Sequence, residues 1–78
     1  MNMTNGEIIG ANIRKHRIAE GWSQEALAGE LGMNPSHLRT LEKGAGNPTL
    51  STLERIADML GIEVSVLFEG ANASDDSQ

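Results

Sequence analysis

The segment from Gln24 to Lys43, Gln-Glu-Ala-Leu-Ala-Gly-Glu-Leu-Gly-Met-Asn-Pro-Ser-His-Leu-Arg-Thr-Leu-Glu-Lys, leaves the chain little freedom in how it folds. Ala28 is followed by Gly32, and then by Leu38 and Leu41. Two short helices that cross steeply over a turn of about three to four residues call for these residue types in this order. Ala28 is small enough for the second helix to pass close above the first. Gly32 takes the positive φ at which the first helix stops. Leu38 and Leu41, at i and i+3, bury one side of the second helix and leave its other side free to meet a partner. The pattern is a helix-turn-helix, and it points toward DNA.

Helical periodicity continues on both sides, and no alternating run is long enough for a strand. The first segment, about Glu7 to Glu20, puts Ile9 and Ile13 on one stripe and ends before Gly21. Ser23 caps the second, with Trp22 placed to staple onto Leu27. Asn34 caps the third, Pro35 takes its first position, and Met33 is placed to staple onto Leu38. After the loop Gly44-Ala45-Gly46-Asn47-Pro48, Thr49 caps a fourth helix. Its Leu50, Leu53, Ile56, Ala57 and Leu60 keep helical spacing, and Gly61 ends it. A short turn around Ser65 to Phe68 is the fifth segment. Residues 1–69 are thus expected to form one all-α, five-helix domain, and residues 70–78 a disordered acidic tail.

Composition limits the functions open to the chain. Its 78 residues allow one domain and include no cysteine, so neither disulfides nor thiolate metal sites are available. His16 and His37 are too few for a metal cage, and no cofactor is expected. No apolar run approaches the roughly 20 residues that span a bilayer, which predicts a soluble, cytoplasmic protein without a membrane partner. The net charge of −5 opposes a nucleic-acid role. Setting aside Glu69, Asp75 and Asp76 leaves six basic and eight acidic side chains, and between residues 33 and 49 Arg39 and Lys43 face Glu42 alone. A positively biased face on an acidic body is compatible with specific binding, not with strong non-specific affinity.

Several motifs succeed one another in order: Ile13-Arg-x-x-Arg17, Gly21-Trp-Ser-Gln24-Glu-Ala-Leu-Ala28, Leu41-Glu-Lys-Gly44, Asn47-Pro-Thr-Leu50 and Leu53-x-x-Ile-Ala-x-x-Leu-Gly61. In this succession the chain resembles the lambda-repressor-like, Cro/CI/XRE-type helix-turn-helix family over about Ile9 to Phe68. Its length and the Asn-Pro-Thr-Leu turn are, more loosely, similar to controller proteins of restriction-modification systems, and also to antitoxins and phage repressors. The resemblance implies a compact lambda-repressor-like domain whose third helix enters the major groove of double-stranded DNA.

On that helix Ser36, Arg39, Thr40 and Lys43 fall at i, i+3, i+4 and i+7, opposite Leu38 and Leu41. The rod from Pro35 to Lys43 is roughly 13 Å long, against a major groove about 12 Å wide. Arg39 is suited to donate two hydrogen bonds to guanine, and Ser36 or Thr40 to contact several bases. Any surface helix also carries a solvated polar face, and without the surrounding motifs that plain reading would stand. Pro35 lies where the family often has a polar residue, which shifts specificity to Ser36 and beyond. The resemblance implies that Gln24 holds a phosphate or braces the reading helix; alternatively it is a helix former in a first turn. Lys43, Asn47 and Thr49 are candidates for phosphate, while dipole, turn and cap chemistry account for them equally. His37 either touches phosphate or a base or is simply exposed. Arg17 and Glu42 each lie four residues after an apolar stripe position, Ile13 and Leu38, so they should find each other as a structural ion pair; the resemblance implies the same pair.

One reading helix covers only a few base pairs, so a homodimer on a palindromic operator is expected. Val64, Val66, Leu67 and Phe68 are candidates for its interface, although Leu67 and Phe68 also suit the monomer's own core, and a division with Leu67 inside and Val64 or Val66 at the interface fits as well. RNA polymerase, blocked or recruited, is the partner this reading implies, and control of its own gene fits such a small regulator. The competing reading is a protein-binding module, such as an antitoxin, that retains the helix-turn-helix as scaffold; the acidic balance favours it. An enzyme has almost no support, since the sequence shows no cysteine, no paired acid with a nearby histidine in a predicted cleft and no phosphate-cradling glycine loop.

Overall fold

The computed structural model describes residues 3–71. Four α-helices, α1 (Asn5–Ala19), α2 (Gln24–Leu31), α3 (Pro35–Glu42) and α4 (Leu50–Leu60), are followed by a 3-10 helix, Val64–Phe68. The fifth expected helix is thus a tighter 3-10 turn. Apart from Gly70 and Ala71, the expected acidic tail lies outside the described residues.

Local chemistry sets the boundaries. α1 begins two residues before the position read from periodicity, because Thr4 and Glu7 form a capping box. The Thr4 hydroxyl accepts from the Glu7 amide at 3.0 Å and the Thr4 amide donates to Glu7 Oε1 at 2.8 Å. Ser23, Asn34 and Thr49 cap α2, α3 and α4, each side chain accepting a first-turn amide. Gly32, at φ 67°, and Gly61, at φ 72°, end α2 and α4 in the left-handed conformation that a side chain would strain.

The core gathers one stripe from each element: Ile13 of α1, Leu27, Ala28 and Leu31 of α2, Leu38 and Leu41 of α3, Leu53, Ile56, Ala57 and Leu60 of α4, and Leu67. Trp22 and Met33, the two expected staples, are half-buried against it. Leu50 departs from the expected stripe and is 57% exposed. It occupies the first position of α4, beside an open groove that also takes in Pro48, and none of the described elements covers it.

α1 meets the C-terminal end of α3 at Gly10. A Cβ there would stand 2.3 Å from the Leu41 carbonyl oxygen and 2.7 Å from that of Glu42. Only glycine lets the two backbones approach this closely. At the C-terminal side of the domain, the Asn12 side-chain Nδ2 of α1 donates to the carbonyls of Leu67 and Glu69, both at 2.9 Å. α1 therefore ties the 3-10 helix down while it supports α3.

Candidate nucleic-acid interface

The orientation of α3 follows from what its inner side meets. Leu38 and Leu41 enter the core and Glu42 is buried with them. Arg17 of α1 donates from Nε to Glu42 Oε2 at 2.6 Å and from Nη2 to Oε1 at 3.1 Å. The Gln24 side-chain Nε2, at the start of α2, donates to the same Oε1 at 2.9 Å, and Arg17 Nη1 donates to the Trp22 carbonyl at 2.7 Å. The bidentate geometry and the extra donors offset the cost of placing a carboxylate where water cannot reach it. Three helices thereby share one anchor, and α3 is held with its opposite side outward.

That outward side carries Ser36, His37, Arg39 and Lys43, all exposed, with Pro35 and Thr40 half-buried at its edges. The Ser36 hydroxyl donates to Asn34 Oδ1 at 2.7 Å and the Thr40 hydroxyl to the Ser36 carbonyl at 2.9 Å. With their protons so used, both hydroxyls have only acceptor capacity left to offer a ligand, which suits an exocyclic amino group of adenine or cytosine. Arg39 supplies the complementary donors. Pro35 has no N–H and offers only apolar contact.

Beyond α3, Asn47 and Thr49 flank the start of α4 and are exposed. Thr49 Oγ1 accepts from the Thr52 amide at 3.1 Å, so its cap role is filled. Gln24 uses one N–H of its amide on Glu42, and the second N–H of that group remains for an acceptor outside. Among the described residues, the side chains of His37, Lys43 and Asn47 make no hydrogen bond or ion pair.

The residues proposed for an interface between copies separate by burial. Leu67 has no exposed surface and closes the monomer core, which corrects its place among the interface candidates: a side chain enclosed by its own domain cannot meet a second copy. Val64 and Phe68 are half-buried against the core. Val66 is half-buried but does not pack on it.

Contacts that the residue pattern did not announce are the Gly10 approach, the Asn12 clamp, and Arg55, whose Nη2 donates to the Leu31 carbonyl at the end of α2. A further one lies on the outward side, where Glu25 of α2 stands 3.6 Å from Arg39. The groove beside Leu50, about 560 Å³, is lined without a charged side chain. Among the described residues no cluster of three or more acidic, histidine or cysteine side chains could hold a metal, and no helix is long and apolar enough to cross a membrane.

Comparison with known proteins settles the affiliation of this arrangement. Residues 13–67 match the HTH_3 helix-turn-helix family model. The chain belongs to this family, which is of Cro/CI/XRE type. It is 34% identical over 55 residues to a hypothetical transcription factor of Neisseria meningitidis, covering 70% of this chain and 52% of that protein. It is 30% identical over 69 residues to the SPbeta prophage-derived HTH-type transcriptional regulator YonR of Bacillus subtilis, covering 88% of this chain and 64% of that one. The chain thus spans between half and two thirds of the length of these two relatives. Among solved structures, the restriction-modification controller protein C.AhdI of Aeromonas hydrophila superposes with a TM-score of 0.77 at 35% identity, over 81% of this chain and 96% of that one. The family is one of transcription regulators and not of enzymes.

Proposed function

We propose that the chain is a sequence-specific, double-stranded DNA-binding transcriptional regulator that acts as a homodimer on a palindromic operator. The observation that carries this reading is the outward side of α3, where Ser36, Arg39 and Thr40 lie together while the opposite side is locked by Leu38, Leu41 and Glu42. Such a preset face lets base contacts form without reorganising the domain. Arg39 reads guanine, Ser36 and Thr40 accept from base amino groups, and Pro35 packs on a thymine methyl. Lys43, Asn47, Thr49, His37 and the spare N–H of Gln24 hold phosphates. Two copies joined through Val66 and its surroundings present two such faces about one helical turn apart. A cytoplasmic setting and contact with RNA polymerase complete this reading, and control of its own gene or of a restriction-modification operon is its narrower form.

The net charge of −5 favours a second reading, a protein-binding module that retains the helix-turn-helix as scaffold. Selection of sites from a random duplex pool, at two salt concentrations and with Arg39→Ala beside the parent, decides between the two. The expected result is a two-fold symmetric consensus that loses one base preference in the variant. Weak, salt-sensitive retention with no enriched sequence would transfer the case to a protein partner.

A further inference from the structure

We propose that Glu25, which lies on α2 and outside the reading helix, is a positioning residue for Arg39 and thereby helps determine which base pair is preferred. The inference rests on the reading of α3 given above. Glu25 Oε2 is 3.6 Å from Arg39 Nη1, with the two side chains 71% and 46% exposed. Its neighbour Gln24 reaches inward to the buried Glu42. Consecutive residues at the start of α2 thus serve opposite sides of α3, one bracing the helix and the other meeting the arm it extends.

The chemistry of the pair fits this division. A guanidinium carries five N–H donors in a fixed fork, and reading O6 and N7 of guanine uses two of them. A carboxylate beside Nη1 leaves a further edge free and narrows the range of conformations that a long exposed side chain samples. At 3.6 Å the contact is looser than a hydrogen bond, so the guanidinium can advance toward a base without first breaking a tight pair. The carboxylate also repels phosphate. Removing its charge therefore has two separable effects: Arg39 loses direction, and attraction to every duplex rises.

Competition binding of the full chain to the selected consensus duplex and to its single base-pair substitutions tests the assignment, with Glu25→Gln, Arg39→Ala and the double variant. Gln keeps the size and helical preference of Glu, and a melting curve verifies that the variant is folded. At the base pair where Arg39→Ala loses its preference, Glu25→Gln should lose up to about fivefold of its discrimination, the range of an exposed ion pair. Other positions should keep their ratios, non-specific affinity should rise, and the double variant should discriminate no worse than Arg39→Ala. A uniform gain in affinity with all ratios intact would reduce Glu25 to a repulsive charge and overturn the proposal. So would a loss at a different base pair, or additive losses in the double variant. Absence of any consensus in the parent defeats the reading of α3 and this inference with it, whereas a consensus with Glu25 effects spread over many positions defeats the inference alone.

Discussion

Glu42 is held by two other helices at once, since Arg17 of α1 and Gln24 of α2 both donate to a carboxylate carried by α3. Removing it leaves Arg17, whose side chain is only 10% exposed, without its anion. Breaking one partner of a buried pair costs about 3–5 kcal/mol, and each kcal/mol moves the melting temperature of a domain this small by about 4–8 °C. Glu42→Ala should therefore melt more than about 10 °C below the parent. Ser36→Ala, which loses only an exposed hydroxyl contact to Asn34, should stay within a few degrees. Thermal denaturation of the two variants side by side checks this, and equal melting temperatures would refute the structural role of the pair.

At the scale of elements, the backbone contact between α1 and α3 fixes how closely α3 is supported. Alanine is the better helix former by about 1 kcal/mol, yet a Cβ at Gly10 would press on two carbonyl oxygens of α3 that cannot move independently. Gly10→Ala should accordingly destabilise the fold by about 1–3 kcal/mol, read as a lower denaturant midpoint, and a stabilised variant would contradict the close approach. The same contrast explains what could be read from the residues alone. Ser23, Asn34 and Thr49 announce their helices because a cap acts over only two or three residues, and Gly32 and Gly61 announce the ends. Arg17 and Glu42 could be paired because a charge on an apolar stripe requires a partner. Gly10 and Asn12 gave no such sign, since their reasons lie on other elements, up to 57 residues away for Asn12. Leu50 fits the stripe of α4 by spacing, but spacing cannot tell that the core begins only one turn later, at Leu53. On the outward side, Ser36, Arg39, Thr40 and Lys43 were legible as a polar face, whereas the meeting of Arg39 with Glu25 depends on the crossing angle of two helices.

For the whole molecule, the small surface that one α3 presents is what supports the proposed action in pairs. Val66 is the apolar candidate left over once Leu67 is enclosed and Val64 and Phe68 lie against the core. Val66→Glu should convert a dimer into a monomer in analytical ultracentrifugation, leave monomer folding intact, and abolish binding to a two-half-site duplex. A parent that sediments as a monomer at every concentration would remove this role. The eight-residue length of α3 has a consequence of another kind. Isolated helices shorter than about 12–15 residues are marginal in water, so the outward face of α3 exists only while the rest of the domain is folded around it. Whatever grips that surface must then act as a thermodynamic sink for the folded form. By mass action, the proposed operator present at 100 times its dissociation constant would contribute about 2.7 kcal/mol, so occupancy would protect the chain from unfolding and release would expose it.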